Sequence, residues 1–266
     1  MSTKKRVVSA ALAAAVGVSL LCGFGFAKKE YVYQQFETAE PVTSVTVQDA
    51  SADVIIQAAD TDHITVRYGT LPGEDPLYDI SVQDGRLVVE ARDDVDVDTT
   101  DDGLALVRVR IEGHNIDPWS GRELTITLPD KPYEQLDATL AVGSLKVEGV
   151  DAKNFSAVAA AGEAEVSDVQ AEQLELASAA GKVILRDAQV QKAEVAAAAG
   201  SAVVENVEAD ALSVSGAVGG SSLKQVTAGD LEIASALGSI KLEDVWADNY
   251  IKAGLILHTS GRIQKR

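Results

Sequence analysis

The chain has 266 residues, 46% of them hydrophobic, and carries 41 Asp and Glu against 23 Lys and Arg, a net charge of −18. Such an acidic surface repels nucleic acid and anionic headgroups, so nucleic-acid binding is set aside. A single cysteine, Cys22, excludes disulfides.

The chain opens on Lys4, Lys5 and Arg6, followed by an uncharged stretch from Val7 to Ala27. These twenty-one residues are enough to span a bilayer as a helix, which takes roughly 20. A basic start before an apolar run also describes a secretory signal, with Gly25 and Ala27 small enough for cleavage after Ala27. The run exceeds the roughly 7–15 residues of a usual signal core, which favours an uncleaved anchor. Residues 1–29 are therefore expected to be a transmembrane signal-anchor helix, with secretion as the alternative. Leu21 before Cys22 is not small, which argues against lipid attachment there.

Residues 30–38 read as a linker. From Glu30 onward the 41 acids face only 18 bases, because residues 1–29 hold five bases and no acid. Over 39–135, short alternating runs predict strands: Val45 and Val47, Val54 and Ile56, Ile64 and Val66, Ile80 and Val82, Leu87 and Val89, Val107 and Val109, then Leu124, Ile126 and Leu128. Val45 to Ile64 is nineteen residues, and Pro72, Pro76 and Pro118 mark loops. This stretch reads as irregular leading coils of a solenoid, or alternatively as a small β-sandwich. Its acidic run from Asp93 to Asp102 holds six aspartates but lacks the glycine and distal glutamate of a calcium loop, so a solvated loop or edge is expected.

Residues 136–266 follow a strict period of nineteen. Gly143, Gly162, Gly181, Gly200, Gly219 and Gly238 mark it, with alanine two residues earlier (Ala141 through Ala236) and an aliphatic residue four later (Val147 through Leu242). Such a period belongs to a solenoid, in which each repeat buries its apolar face only by stacking on the next. In the coil from Leu174, the inward positions read Leu174, Leu176, Ala179, Val183, Leu185, Ala188 and Val190, with Gly181 turning. Alternation by two in runs of three to five means short strands rather than helix. A polar ladder, Asp168, Asp187, Asn206, Gln225 and Asp244, marks a second turn; Asp and Asn suit left-handed conformations. The fold class is thus all-β, a parallel β-solenoid of nineteen-residue coils after one N-terminal helix. A right-handed coil is expected, because nineteen is not a multiple of the hexapeptide period of left-handed β-helices. No proline follows Pro132, so no ladder hydrogen bond is lost in the array.

Chemistry is sparse in the sequence. His63, His114 and His258 lie far apart, and no nucleophile elbow, phosphate loop or paired cysteine occurs. The outward residues Glu148, Ser167, Arg186, Glu205, Lys224 and Glu243 change sign from coil to coil, which predicts pairing between coils rather than a catalytic face. Phe155 stands at an inward position. Trp246 and Tyr250 cluster in the last full coil, where they cover the end or form a contact surface, and the basic tail with Arg262, Lys265 and Arg266 is expected to fold back over them. No cofactor or metal is expected.

The strand exit Leu124-Thr125-Ile126-Thr127-Leu128-Pro129, the coils Val142-Gly143-Ser144-Leu145-Lys146-Val147 and Leu237-Gly238-Ser239-Ile240-Lys241-Leu242, and the basic–apolar N-terminus resemble the bacterial putative-adhesin family of β-strand-repeat proteins of unknown function, related to head-GIN adhesin-like domains. The resemblance covers roughly residues 40–263 and implies a β-solenoid outside the cytoplasmic membrane. It carries over no catalytic residue. This chain departs from it by being alanine-rich where family coils often have Ser or Thr before the glycine. The expectation is a non-catalytic, single-pass, extracytoplasmic surface or scaffold module, with an envelope protein or polysaccharide as partner. A polysaccharide-binding or polysaccharide-cleaving β-helix is the alternative, and a self-assembling filament protein the third reading.

Overall fold

The computed structural model describes residues 32–70, 76–92, 95–98, 108–111, 122–254 and 256–265. The expected membrane helix over 1–29, with Cys22, lies outside the described residues. Among those described, every regular element is a strand, and no helix is long and apolar enough to cross a membrane.

The chain forms β1 (Val32–Thr38), β2 (Ser44–Ala59), β3 (Ile64–Thr70), β4 (Tyr78–Gln83), β5 (Arg86–Ala91), β6 (Val95–Asp98), β7 (Arg108–Ile111), β8 (Glu123–Pro129), β9 (Tyr133–Glu148), β10 (Ala152–Ala253), β11 (Ile256–Ser260) and β12 (Ile263–Lys265). The 102 residues of β10 are a continuous ribbon that winds through successive coils. Its first coil pairs with β9 in parallel, Leu136 opposite Phe155, Gly143 opposite Gly162 and Val147 opposite Val166, a shift of nineteen. The same shift joins Leu237 to Ile256 at the other end, whereas β12 pairs Val245 with Ile263, a shift of eighteen, so the final turn is one residue shorter.

β2 is a coil of the same register lying on the other side of β9, with Val45 opposite Leu136 and Ile56 opposite Val147. Its far edge is taken by β5 and β8, both parallel. Beyond these the pattern changes. β4 pairs antiparallel with β5, and β3 lies antiparallel between β8 and β1. The nineteen residues from Val45 to Ile64 therefore do not make a stacked coil: Ile64 faces Thr38 in an antiparallel pair. Equal spacing matched the period by chance, because nothing after β2 supplies the corner residues that return a coil to its start. One hydrophobic cluster runs from Val42 to Ala247 through both parts.

Each coil lays its inward residues in columns. Leu136, Phe155, Leu174, Ala193, Leu212 and Leu231 form one, and Val147, Val166, Leu185, Val204, Leu223 and Leu242 another, all buried. Volumes compensate within a coil: the bulky Phe155 is accompanied by Ala157, Ala159 and Ala164, all fully buried. Cores fill at near-crystalline density, so a large ring in one column requires small neighbours in the next.

One inward column differs from the expectation. The alanines two before each glycine are not consistently inward: Ala160, Ala179 and Ala236 are half-buried, and Ala198 and Ala217 exposed. Alternation by two continues for one more step, so the inward residue stands three before the glycine, as Leu140, Ala159, Ser178, Ala197 and Ser235. The chain then leaves the core to turn, and the alanine sits on that corner.

Candidate functional site

The two corners of each coil are built differently. At the glycine corner, φ lies between 125° and 150° from Gly143 to Gly219, where side chains are rarely tolerated. A Cβ added at Gly181 would lie 1.8 Å from the carbonyl oxygen of Gly162, and one at Gly238 only 1.6 Å from that of Gly219. From Gly162 to Gly238 each glycine is thus required by the glycine of the coil below it, and Gly143 by the Ala52 carbonyl, 2.1 Å from an added Cβ. Ser178 reinforces this corner from inside, its Oγ donating to the Gly162 carbonyl at 3.3 Å.

At the second corner the polar ladder adopts the left-handed conformation, with φ of 56° at Asp168, 48° at Asp187, 54° at Asn206, 53° at Gln225 and 52° at Asp244. Gly149, at φ 68°, heads the same column. The side chains here point outward, and Asn206 Nδ2 donates to Asp187 Oδ1 at 2.5 Å. Asp and Asn tolerate this backbone because their short side chains bond locally.

Charged side chains pair between coils. Lys224 Nζ lies 2.8 Å from Glu205 Oε1, Arg186 Nε 3.7 Å from Glu205 Oε2, and Arg186 also bonds Glu165. Lys153 holds both oxygens of Glu134 at 2.8 Å. The hydrogen bond from Lys224 and its positive charge lower the Glu205 carboxyl, and Glu205 raises Lys224 in return. Arg186, Glu205 and Lys224 are half-buried and Lys153 and Glu134 exposed, and solvent still reaches and screens these pairs.

Two concavities gather further titratable groups. One, of about 460 Å³, lies along the second corner and includes Asp60, Asp130, Asp151, Asp168 and Asp187. The other, of about 210 Å³, includes Asp137, Glu175, Lys192 and Glu194. Desolvation raises Glu175, with the negative charges of Glu194 and Asp137 adding to it, and desolvation also raises Asp137 against a hydrogen bond from Gln135. Among the described residues no group of three acidic, His or Cys side chains is placed to hold a metal ion. Within the acidic run, β6 pairs with β7 and sets Asp96 opposite Arg110 and Asp98 opposite Arg108 in backbone register; Asp93, Asp94, Asp101 and Asp102 lie outside the described residues.

A polar knot at the N-terminal end is not evident from the sequence. Asp49, 3% exposed, accepts the Ser51 N–H at 2.8 Å and the Tyr78 hydroxyl. The Tyr78 ring meets Tyr68 edge-on at 4.9 Å, and burial raises the Tyr68 hydroxyl. Asp49 stands opposite Leu140 in the register. An acid in a column otherwise made of small or apolar residues was the available signal, but it becomes one only once the register is known.

At the opposite end, β12 returns the tail to the coil of Trp246, pairing Trp246 with Gln264 and Ala247 with Lys265. Trp246 and Tyr250 nevertheless stay 39% and 54% exposed, so the tail joins their coil without covering them.

A stack of nineteen-residue coils closed by antiparallel strands at one end is the geometry to be placed among known proteins, and the match with a family extends over residues 42–243. The chain belongs to the Toastrack DUF4097 family. No curated protein matches it. Among solved structures it is similar to a putative adhesin from Bacteroides fragilis, at 15% identity and a TM-score of 0.52, over 90% of this chain and 98% of that one. It is also similar to a putative lipid binding protein from Parabacteroides distasonis, at 16% identity and a TM-score of 0.48, over 88% of this chain and 96% of the other. A putative adhesin from Parabacteroides distasonis matches at 10% identity and a TM-score of 0.43, over 89% and 97% of the two chains. The resemblance to the putative-adhesin repeat family read from the strand exit and the glycine coils therefore holds.

Proposed function

We propose that this Toastrack chain is a non-catalytic, extracytoplasmic module of the bacterial envelope, a right-handed β-solenoid held at the membrane by residues 1–29 and presenting its flanks as an adhesin-like or scaffolding surface. The observation that carries this reading is where the charged side chains go: Arg186, Glu205 and Lys224, in three successive coils, bind one another. Catalysis needs acids and bases gathered and aimed at a substrate, whereas this column neutralises itself. The fold shared with a Bacteroides fragilis chain described as a putative adhesin agrees with a surface role. Protease added to intact cells should digest the acidic body and leave the N-terminal segment in the membrane fraction. A mature chain starting at Lys28 and free in the medium would replace the anchor with a signal peptide.

A second reading, a polysaccharide-binding or polysaccharide-cleaving β-helix, is favoured by one observation. Glu175, raised by desolvation beside Glu194 and Asp137, is a carboxyl biased toward holding its proton, as a general acid for glycosidic cleavage must be. New reducing ends released from envelope polysaccharide by the native chain and lost in Glu175→Gln would establish it over the first.

A further inference from the structure

We propose that the C-terminal end of the solenoid docks on an anionic lipid bilayer, with Trp246, Tyr250 and Ile251 entering the headgroup layer and Lys252, Arg262 and Lys265 meeting lipid phosphates. This goes beyond the scaffold reading and does not depend on the N-terminal anchor.

Among the described residues seven large apolar side chains are exposed, and four of them, Leu237 (45%), Trp246 (39%), Tyr250 (54%) and Ile251 (64%), belong to the last coils; Val218 precedes Leu237 by one coil, and Val32 and Tyr33 lie at the other end. The charge reverses at the same place. After Asp248 the chain has four bases, Lys252, Arg262, Lys265 and Arg266, and no acid, on a protein of net charge −18. Aromatic rings with a polar edge, an exposed aliphatic residue and long basic side chains form the composition that is stable at a headgroup boundary. A basic cluster near an anionic leaflet gains from its negative surface potential.

Two other occupants fit less well. A second copy stacking on the open coil would need an apolar rim. By the nineteen-residue shift that Asn249 keeps with Asp230, Tyr250 takes the column of Leu231 and Ile263 stands opposite Val245, but Lys252 takes the column of Ile233 and Lys265 stands opposite Ala247, so the rim alternates apolar and charged residues. Charge in inward columns opposes further strand addition. A sugar chain or peptide would need a groove, since specific ligands sit in concavities. The concavities lined by Asp168 and by Glu175 both lie away from this end. The acidic flanks, which an anionic bilayer repels, restrict contact to the end itself.

The test uses the full-length chain carrying Trp119→Phe, which leaves Trp246 as its only tryptophan. Phosphatidylcholine vesicles with brominated acyl chains are prepared with and without phosphatidylglycerol. Residues 1–29 can bring the chain to either vesicle, but only docking of this end carries Trp246 within reach of the bromine. The expected result is quenching and a blue shift of Trp246 with phosphatidylglycerol, reversed by high salt. The variant Lys252→Glu/Arg262→Glu/Lys265→Glu should weaken the effect by on the order of 100-fold, roughly fivefold or more per base. Because that variant alters inward columns, its unfolding transition is compared with the parent's, and Ile251→Ser, wholly on the surface, provides an independent loss of quenching. Trp246 emission unaffected by brominated phosphatidylglycerol vesicles that the chain demonstrably binds would overturn the proposal. So would equal quenching without phosphatidylglycerol, an equal shift with dextran sulfate in place of vesicles, or a blue shift that grows with protein concentration in the absence of lipid.

Discussion

The two corners of a coil both force the backbone to positive φ, yet one is written in a single residue type and the other in several. At the glycine corner the obstacle is a neighbouring carbonyl 1.6–1.8 Å from any added Cβ in the upper coils, so no side chain is compatible. At the polar corner the side chain points into solvent, and only the cost of the left-handed backbone remains, which Asp, Asn and even Gln225 bear. The contrast separates two causes of a sequence period. Steric exclusion imposes identity, and conformational preference imposes only a class.

The largest expected effect breaks the glycine side of that comparison. Gly181→Ala should cost at least about 3 kcal/mol, because φ of 150° and the Gly162 carbonyl must both be accommodated. Urea unfolding measures it, and a loss under about 1 kcal/mol would mean the corner can relax into a bulge. Ser178→Val comes next. It removes a buried hydroxyl bonded to the same Gly162 carbonyl, and should cost about 1–2 kcal/mol in the same assay. A cost equal to that of Gly181→Ala would show that packing, not the carbonyl contact, governs this corner.

The polar corner should respond with the opposite sign. Gln225→Gly relieves a left-handed Gln and copies Gly149 in its own column. A gain of about 0.5–1 kcal/mol is expected, reduced by the greater freedom of glycine in the unfolded chain. Destabilisation instead would show that the Gln225 side chain contributes contacts that the conformational argument omits.

The smallest effect concerns the column between corners. Glu205 is lowered from its ordinary 4.5 and Lys224 raised from 10.5, each chiefly by the hydrogen bond to the other. Stability from Glu205 is therefore present above its unfolded value and lost as pH falls through the lowered folded one. That from Lys224 is present below its unfolded value and lost as pH rises through the raised folded one. Lys224→Met should flatten both limbs of the melting-temperature profile and weaken its salt dependence. An unchanged profile would mean that solvent already screens the pair completely.

The regular array was largely legible in the sequence because each coil meets a copy of itself. A residue such as Val166 sees Val147 below and Leu185 above, so spacing alone predicts its burial, and the sign changes at Arg186, Glu205 and Lys224 predict their pairing. Register within a coil was less so. Ala179 and Ser178 are neighbours, and only the place where the chain leaves the core decides which of them is inward. The N-terminal end was the least legible, since β3, β4 and β8 each meet strands of different sequence from distant places in the chain.

By itself, then, the sequence determined the coil length, the all-β character, the glycine and polar corners and the reversal of charge after Asp248, because all of these are local or repeat at a fixed interval. Only the tertiary structure decided that β2 stacks on β9 from across the intervening strands, that Ile64 runs antiparallel, that Asp49 is buried against Tyr78, and that Trp246 and Tyr250 remain exposed beside a tail that pairs with their coil. Each of these depends on a contact between segments that share no period, and the energy of such a contact is set by the partner rather than by the segment.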